Sequence, residues 1–184
     1  GETETLDTKS FYTSKDRAIV GAELTKYDGD KVTQTAVFDV VDGHYFVKDI
    51  YNYVYENGTL KETNRTVYTY DDKGNPLEGN QYLLGEDGTE TLAAHVVYSY
   101  NEDGTRKITL TTRYQTDGKT VSGTYEETFD QDVCVKKTQC LYSADGKNIE
   151  EKTVQTLLNE NVTKSEVTKY RDGKAVTCTI KEYN

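Results

Sequence analysis

The chain has 184 residues, of which 34% are hydrophobic, with a mean hydropathy of −0.81 and a formal net charge of −10. That length fits one domain, and the acidity disfavours the phosphate binding on which nucleic-acid partners depend. No run of 18 apolar residues is present, which excludes a transmembrane helix.

The first ten residues are polar and are expected to fray. Gly1 followed by Glu2-Thr3-Glu4-Thr5 reads as the start of a mature protein from which a signal has been removed, so a secreted, periplasmic or cell-surface bacterial location is expected. Beyond them the organising signal is glycine. Turn dipeptides occur at Asp28-Gly29, Asp42-Gly43, Asn57-Gly58, Lys73-Gly74, Asp87-Gly88, Asp103-Gly104, Asp117-Gly118, Asp145-Gly146 and Asp172-Gly173. Asp-Gly and Asn-Gly are strong hairpin signals, because glycine adopts positive φ without strain and Asn or Asp tolerates it beside glycine.

Successive glycines stand 14 to 16 residues apart, except for gaps of 28 and 27 whose midpoints hold Asp130-Gln131-Asp132 and Asn159-Glu160-Asn161. Counting those two clusters as turns gives eleven reversals and twelve strands. The spacing therefore predicts a single all-β domain over 1–184, an antiparallel meander forming an elongated sheet, roll or open barrel. Between turns the side chains alternate with period two, as in Tyr51/Tyr53/Tyr55 and Val96/Tyr98/Tyr100. Residues 149 to 158 lack a helical face and favour a strand, and Pro76 suits the first position of one.

The turns fall into two sequence flavours. Glu56-Asn57-Gly58-Thr59, Glu86-Asp87-Gly88-Thr89 and Glu102-Asp103-Gly104-Thr105 form one, and the Asp-Gly-Lys turns at 117, 145 and 172 form the other. The second recurs every 27 or 28 residues, the length of one hairpin, and marks a degenerate hairpin repeat.

Tyr68-Thr69-Tyr70-Asp71-Asp72-Lys73-Gly74-Asn75-Pro76-Leu77 resembles the Tyr-Asp (YD) repeat of bacterial surface and toxin-shell proteins, and Tyr98-Ser99-Tyr100-Asn101-Glu102-Asp103-Gly104 is a looser copy. The chain also resembles uncharacterised secreted all-β proteins of gut anaerobes built from Tyr-rich hairpins. The resemblance implies an exported, elongated sheet without a catalytic centre, and it carries over no functional residue.

Chemistry is sparse. His44 and His95 are the two histidines, and neither belongs to a nucleophile motif or a phosphate-cradling loop. No cofactor motif is present. The acidic turns, such as Asp71/Asp72 and Glu102/Asp103, lack the spacing of a calcium loop, so no metal is expected there and Asp is read as serving turn geometry. Glu126 and Glu127 are adjacent, hence on opposite faces, and make a poor catalytic pair. Cys134, Cys140 and Cys178 are too few for a disulfide framework and read as small buried thiols, although either of the first two could meet Cys178 across strands.

The tyrosine stripe is the most suggestive feature. Tyr51, Tyr53, Tyr55, Tyr68, Tyr70, Tyr98 and Tyr100 either form cross-strand pairs or offer rings to a partner. The leading expectation is a non-enzymatic, exported β-repeat module that recognises a protein or glycan. An acidic immunity or antitoxin protein that neutralises a basic partner is the alternative, since net charge −10 would steer it there. A second alternative is a hydrolase whose carboxylates converge in a cleft, with raised pKa values as the mark. The sheet edges should be protected by lysine or by pairing between copies.

Overall fold

The computed structural model describes residues 8–183. The fold is all-β. Its strands are β1 (Thr8–Lys15), β2 (Ala18–Asp28), β3 (Lys31–Val41), β4 (His44–Glu56), β5 (Thr59–Tyr70), β6 (Pro76–Leu84) and β7 (Glu90–Tyr100). They continue with β8 (Arg106–Tyr114), β9 (Val121–Asp130), β10 (Val133–Tyr142), β11 (Ile149–Leu158), β12 (Asn161–Arg171) and β13 (Lys174–Glu182). All are antiparallel, and their order in the sheet is their order in the chain. The described residues form two compact units, one ending at Thr91 and the other beginning at Leu92. Among the described residues no helix is long and apolar enough to cross a membrane.

Thirteen strands replace the expected twelve because a third glycine-free reversal, besides the two expected, precedes the first glycine turn. Asp16 and Arg17 turn the chain with φ of 51° and 69°, both in the left-handed region. Thr8, Lys9 and Ser10, expected to fray, begin β1, while residues 1–7 lie outside the described part. The two glycine-free clusters behave as read, since Gln131-Asp132 and Asn159-Glu160 are positive-φ turns. Residues 149 to 158 are strand, and Pro76 opens β6.

The hairpins divide by loop length, across the two sequence flavours rather than along them. Asp42-Gly43, Asn57-Gly58 and Asp172-Gly173 have positive φ at both residues and close two-residue turns, flanked by the pairs Val41↔His44, Glu56↔Thr59 and Arg171↔Lys174. Gly74, Gly88, Gly104, Gly118 and Gly146 are each the sole positive-φ residue of a longer loop. There the glycine N–H donates to the carbonyl three residues back, as Gly74 does to Asp71 at 3.1 Å and Gly104 to Asn101 at 3.0 Å. A carboxylate closes each longer loop from inside: Asp117 accepts from the backbone N–H of Lys119 (2.9 Å) and Thr120 (2.8 Å).

One irregularity recurs through both units. From β1–β2 to β5–β6, and from β7–β8 to β12–β13, the register jumps by one residue, always on the strand leaving the turn, one or two pairs from it except in β3–β4, where four pairs intervene. Lys48, Lys61, Lys107 and Glu150 are examples of the residue left without a partner. A bulge of this kind bends and twists the outgoing strand. Repeated at these eleven hairpins, it is part of the repeat itself.

The sheet has little interior. Substantial strand contact is between sequence neighbours, and among the described residues no side chain is completely buried. The best-covered positions are small, including Ala22, Ala36 and Ala94. Ala36 lies between Leu24 and Ile50 in the register, so the larger neighbours cover it without a second layer. Polar pairs take a similar place, with Gln34 Nε2 donating to Asn52 Oδ1 across the strands at 2.8 Å. β1 and β13 stand at the two ends of the strand order, with Lys9 and Lys15 on one and Lys174 and Lys181 on the other.

Candidate functional site

The seven tyrosines singled out from sequence are all half-buried, and they do not form one stripe. Tyr51 and Tyr53 face Arg65 and Thr63 across β4–β5, while Tyr68 and Tyr70 alternate out of step with Arg65 along β5. Tyr98 and Tyr100 belong to the second unit. Tyr51 lies under the Arg65 guanidinium, 5.5 Å from ring centroid to carbon, and Tyr55 under Lys31 Nζ at 5.3 Å. The Tyr53 hydroxyl lies 3.5 Å from Thr35 Oγ1. In the second unit Arg106 stands over both Tyr98 and Phe129, at 6.0 and 5.2 Å.

Tyr68 and Tyr70 line a concavity of the first unit together with Phe46. It measures about 390 Å³, within the size range of small-ligand sites. Its origin is the bulge at Lys48. Pairing between β4 and β5 ends at Asp49↔Val67, so the first residues of β4 and the last of β5 part company. Tyr70 spans the gap, its hydroxyl donating to the Val47 carbonyl at 2.7 Å. Its ring meets Phe46 edge-on at 5.5 Å and 61°. The other flank of Phe46 rests on Gly74, where a Cβ would run into the ring. Glycine is thus required twice at position 74, for that contact and for its φ of 85°.

Charge surrounds those rings. Asp39, Asp71 and Asp72 line the concavity with a single lysine, Lys48. Lys48 is paired with Asp39 at 3.4 Å, both side chains being 58% exposed. The Asp71 carboxylate accepts from the backbone N–H groups of Lys73 (2.9 Å) and Asn75 (2.7 Å), and from Asn75 Nδ2 at 2.9 Å. Asn75, through its side chain first and its backbone second, holds that carboxyl below its ordinary pKa. Asp72 is exposed and makes no hydrogen bond or ion pair among the described residues.

Among the described residues the displaced carboxyl pKa values all move down. The carboxyl groups with displaced pKa are Asp71, Asp87, Asp103, Asp117 and Asp145, and each is lowered by a side-chain hydrogen bond from its own loop. A lowered carboxylate accepts hydrogen bonds and is a poor proton donor. Glu127 takes the Tyr125 hydroxyl at 3.1 Å and Lys137 at 3.4 Å. Burial first, and Glu127 second, raise the Tyr125 phenol. His44 opens β4 in an exposed position, and His95 is half-buried on β7. Among the described residues no three His, Cys, Asp or Glu come together as metal ligands.

The cysteines are free: Cys140 is buried, Cys134 half-buried and Cys178 exposed. Cys134 and Cys140 lie on β10 and Cys178 on β13, three strands away, or about 14 Å at the usual spacing. That exceeds the reach of a disulfide, so the pairing with Cys178 considered from sequence is not formed. The reading of small buried thiols holds for Cys140 and fails for Cys178, because every residue of β13 is exposed.

No family model matches the sequence. No curated protein matches it either. Among solved structures, the chain is similar to a protein with unknown function from Bacteroides fragilis, at 14% identity and a TM-score of 0.32, over 84% of this chain and 95% of that one. A DUF3836 family protein from Parabacteroides distasonis matches at 12% identity and a TM-score of 0.21, over 67% and 76%. TcdB2-TccC3-TEV matches at 10% identity and a TM-score of 0.19, over 90% of this chain but 14% of that one. At such scores the likenesses carry no functional weight.

Proposed function

We propose that this chain is a non-enzymatic, exported β-repeat module that recognises a protein or glycan partner through side chains on its sheet. The observation that supports it is the aromatic concavity at the β4–β5 divergence, where Phe46, Tyr68 and Tyr70 line one recess with hydrogen-bonding groups around them. Rigid aromatic area beside polar groups is the composition of recognition surfaces, since such rings lose little conformational freedom on binding. Export accords with the resemblance of residues 68 to 77 to surface hairpin repeats.

The test is a glycan array and a panel of extracellular protein domains probed with the full chain and with Tyr51→Ala and Tyr68→Ala variants. The reading expects at least one saturable ligand whose binding falls at least fivefold in one variant. Turnover of ester, peptide or glycoside substrates by the purified chain, without any such ligand, would overturn it.

A further inference from the structure

We propose that the concavity between β4 and β5 is a docking site for an arginine side chain presented by a partner protein. The proposal rests on the binding-module reading and gives its partner a chemistry. The chain itself shows what such an arrangement holds. On another part of the first unit, a tyrosine and two carboxylates surround Arg65: Tyr51 lies beneath the guanidinium, Asp49 accepts from Nε and Nη2, and Glu90 accepts from Nη1. In the second unit Arg106 again stands over two rings. At the concavity the same groups recur, rings from Phe46, Tyr68 and Tyr70 and carboxylates from Asp71 and Asp72, but no arginine of the chain lies among the lining residues.

Charge selects the guest. Three carboxylates against one lysine leave the recess negative, within a chain of net charge −10. A cation gains from both the ring faces and the acids, whereas a neutral sugar gains from the rings and hydrogen bonds alone. Guanidinium is favoured over ammonium because its plane stacks on a ring while its fork reaches a carboxylate. Lys48 does not close the site, since its ion pair with Asp39 is exposed and such pairs are weak. Asp72 has an unengaged carboxylate for the guest. The floor is fixed in advance: Tyr70 is anchored to the Val47 carbonyl and Phe46 to Gly74, so little ordering remains to oppose binding.

The experiment is a titration of the full chain, labelled with ¹⁵N, with N-acetyl-arginine amide, N-acetyl-lysine amide and cellotetraose. The arginine probe should move the amide signals of Lys48, Tyr68, Asp72 and Gly74 together, bind at least threefold more tightly than the lysine probe, and weaken with salt. Asp72→Asn and Tyr68→Ala should each lower its affinity at least threefold. Asp103→Asn removes the same charge from an exposed turn of the second unit and should change little. Equal losses in Asp72→Asn and Asp103→Asn, or shifts spread over all the acidic turns, would reduce the effect to general attraction and overturn the proposal. Cellotetraose moving those four signals when arginine does not would overturn it while leaving the binding-module reading intact. Absence of every ligand in the array and panel is the separate failure of that reading.

Discussion

Arg65 and Asp49 face each other diagonally across β4 and β5, and the guanidinium grips the carboxylate along one side. Nε donates to Oδ1 at 3.1 Å and to Oδ2 at 3.0 Å, while Nη2 donates to Oδ2 at 2.6 Å. Nη1 turns to Glu90 at the start of β7. Hydrogen bonding to Asp49 and then Glu90 raises the already high pKa of Arg65, so the charge is permanent. The Asp49 side chain is only 15% exposed, and Arg65 is its one ion-pair partner among the described residues. Arg65→Ala should therefore cost about 2 kcal/mol in urea unfolding, the scale of charged hydrogen bonds to a partly covered group. Arg65→Lys should recover only part of it, because an ammonium cannot reproduce the fork. Lys48→Ala, which breaks an exposed pair, should change stability by less than about 0.5 kcal/mol.

Glycines that share positive φ are not equivalent, and their substitution should rank by what surrounds them. Gly88, Gly104 and Gly173 open onto empty space, so alanine there adds only the strain of a left-handed residue, about 1 kcal/mol. At Gly74 alanine must also displace the Phe46 ring, and at Gly146 it meets the backbone of Val121. Thermal unfolding should show Gly74→Ala and Gly146→Ala lowering Tm by several degrees more than Gly104→Ala, since about 1 kcal/mol moves Tm by a few degrees in a chain of this size. Equal losses at all three would mean that φ alone decides.

These contrasts mark where the sequence stops being informative. Glycine position is legible because φ chemistry is local, and it located nine of the twelve reversals. Loop length is not legible in the turn flavours: Glu56-Asn57-Gly58-Thr59 and Glu86-Asp87-Gly88-Thr89 look alike yet close different loops. The discriminating residue stands three before the glycine. Val40, Tyr55 and Tyr170 continue the strand into two-residue turns, whereas Asp71, Gly85, Asn101, Gln115 and Ser143 start the longer loops. The Asp16-Arg17 turn was invisible for the opposite reason, as no glycine marks it. Tyrosine alternation suggested one stripe because period-two reasoning assumes uninterrupted pairing. Pairing of β4 with β5 stops at Asp49↔Val67, and this break creates the concavity.

Asp117 gives the acid dependence a direction. Its pKa is lowered from 3.8 to about 2, first by the Thr120 hydroxyl and then by the N–H groups of Lys119 and Thr120. A carboxyl depressed on folding stabilises the fold above its unfolded pKa, and that contribution disappears as pH falls through the folded one. Asp71, Asp87, Asp103 and Asp145 shift in the same direction. The loops should therefore loosen between about pH 4 and 2, and not between pH 8 and 5. Carboxyl NMR should find Asp117 titrating near 2, with the Thr120 amide following it. A midpoint near the unfolded value would mean that the loop hydrogen bonds do not persist in solution.

The bulges make the most demanding prediction. Val54 pairs with Glu62 and Tyr55 with Leu60, which leaves Lys61 outside the ladder. Because successive side chains alternate in face, removing one residue from β5 cannot be absorbed without exchanging faces for everything after it or rebuilding the turn. Arg65 would then leave the side of Tyr51 and Asp49, and Tyr70 would lose its place over the gap. Substitution is a different matter: the Lys61 side chain is exposed and its position needs a residue rather than a lysine. Lys61→Ser should thus leave urea unfolding within about 0.5 kcal/mol of the parent, while deletion of Lys61 should abolish the cooperative transition or lower its midpoint sharply. Deleting Lys107, in the same position of the β7–β8 hairpin, should act alike in the second unit. Deletion variants that unfold as the parent does would show the extra residue to be slack in the chain rather than a required part of the repeat.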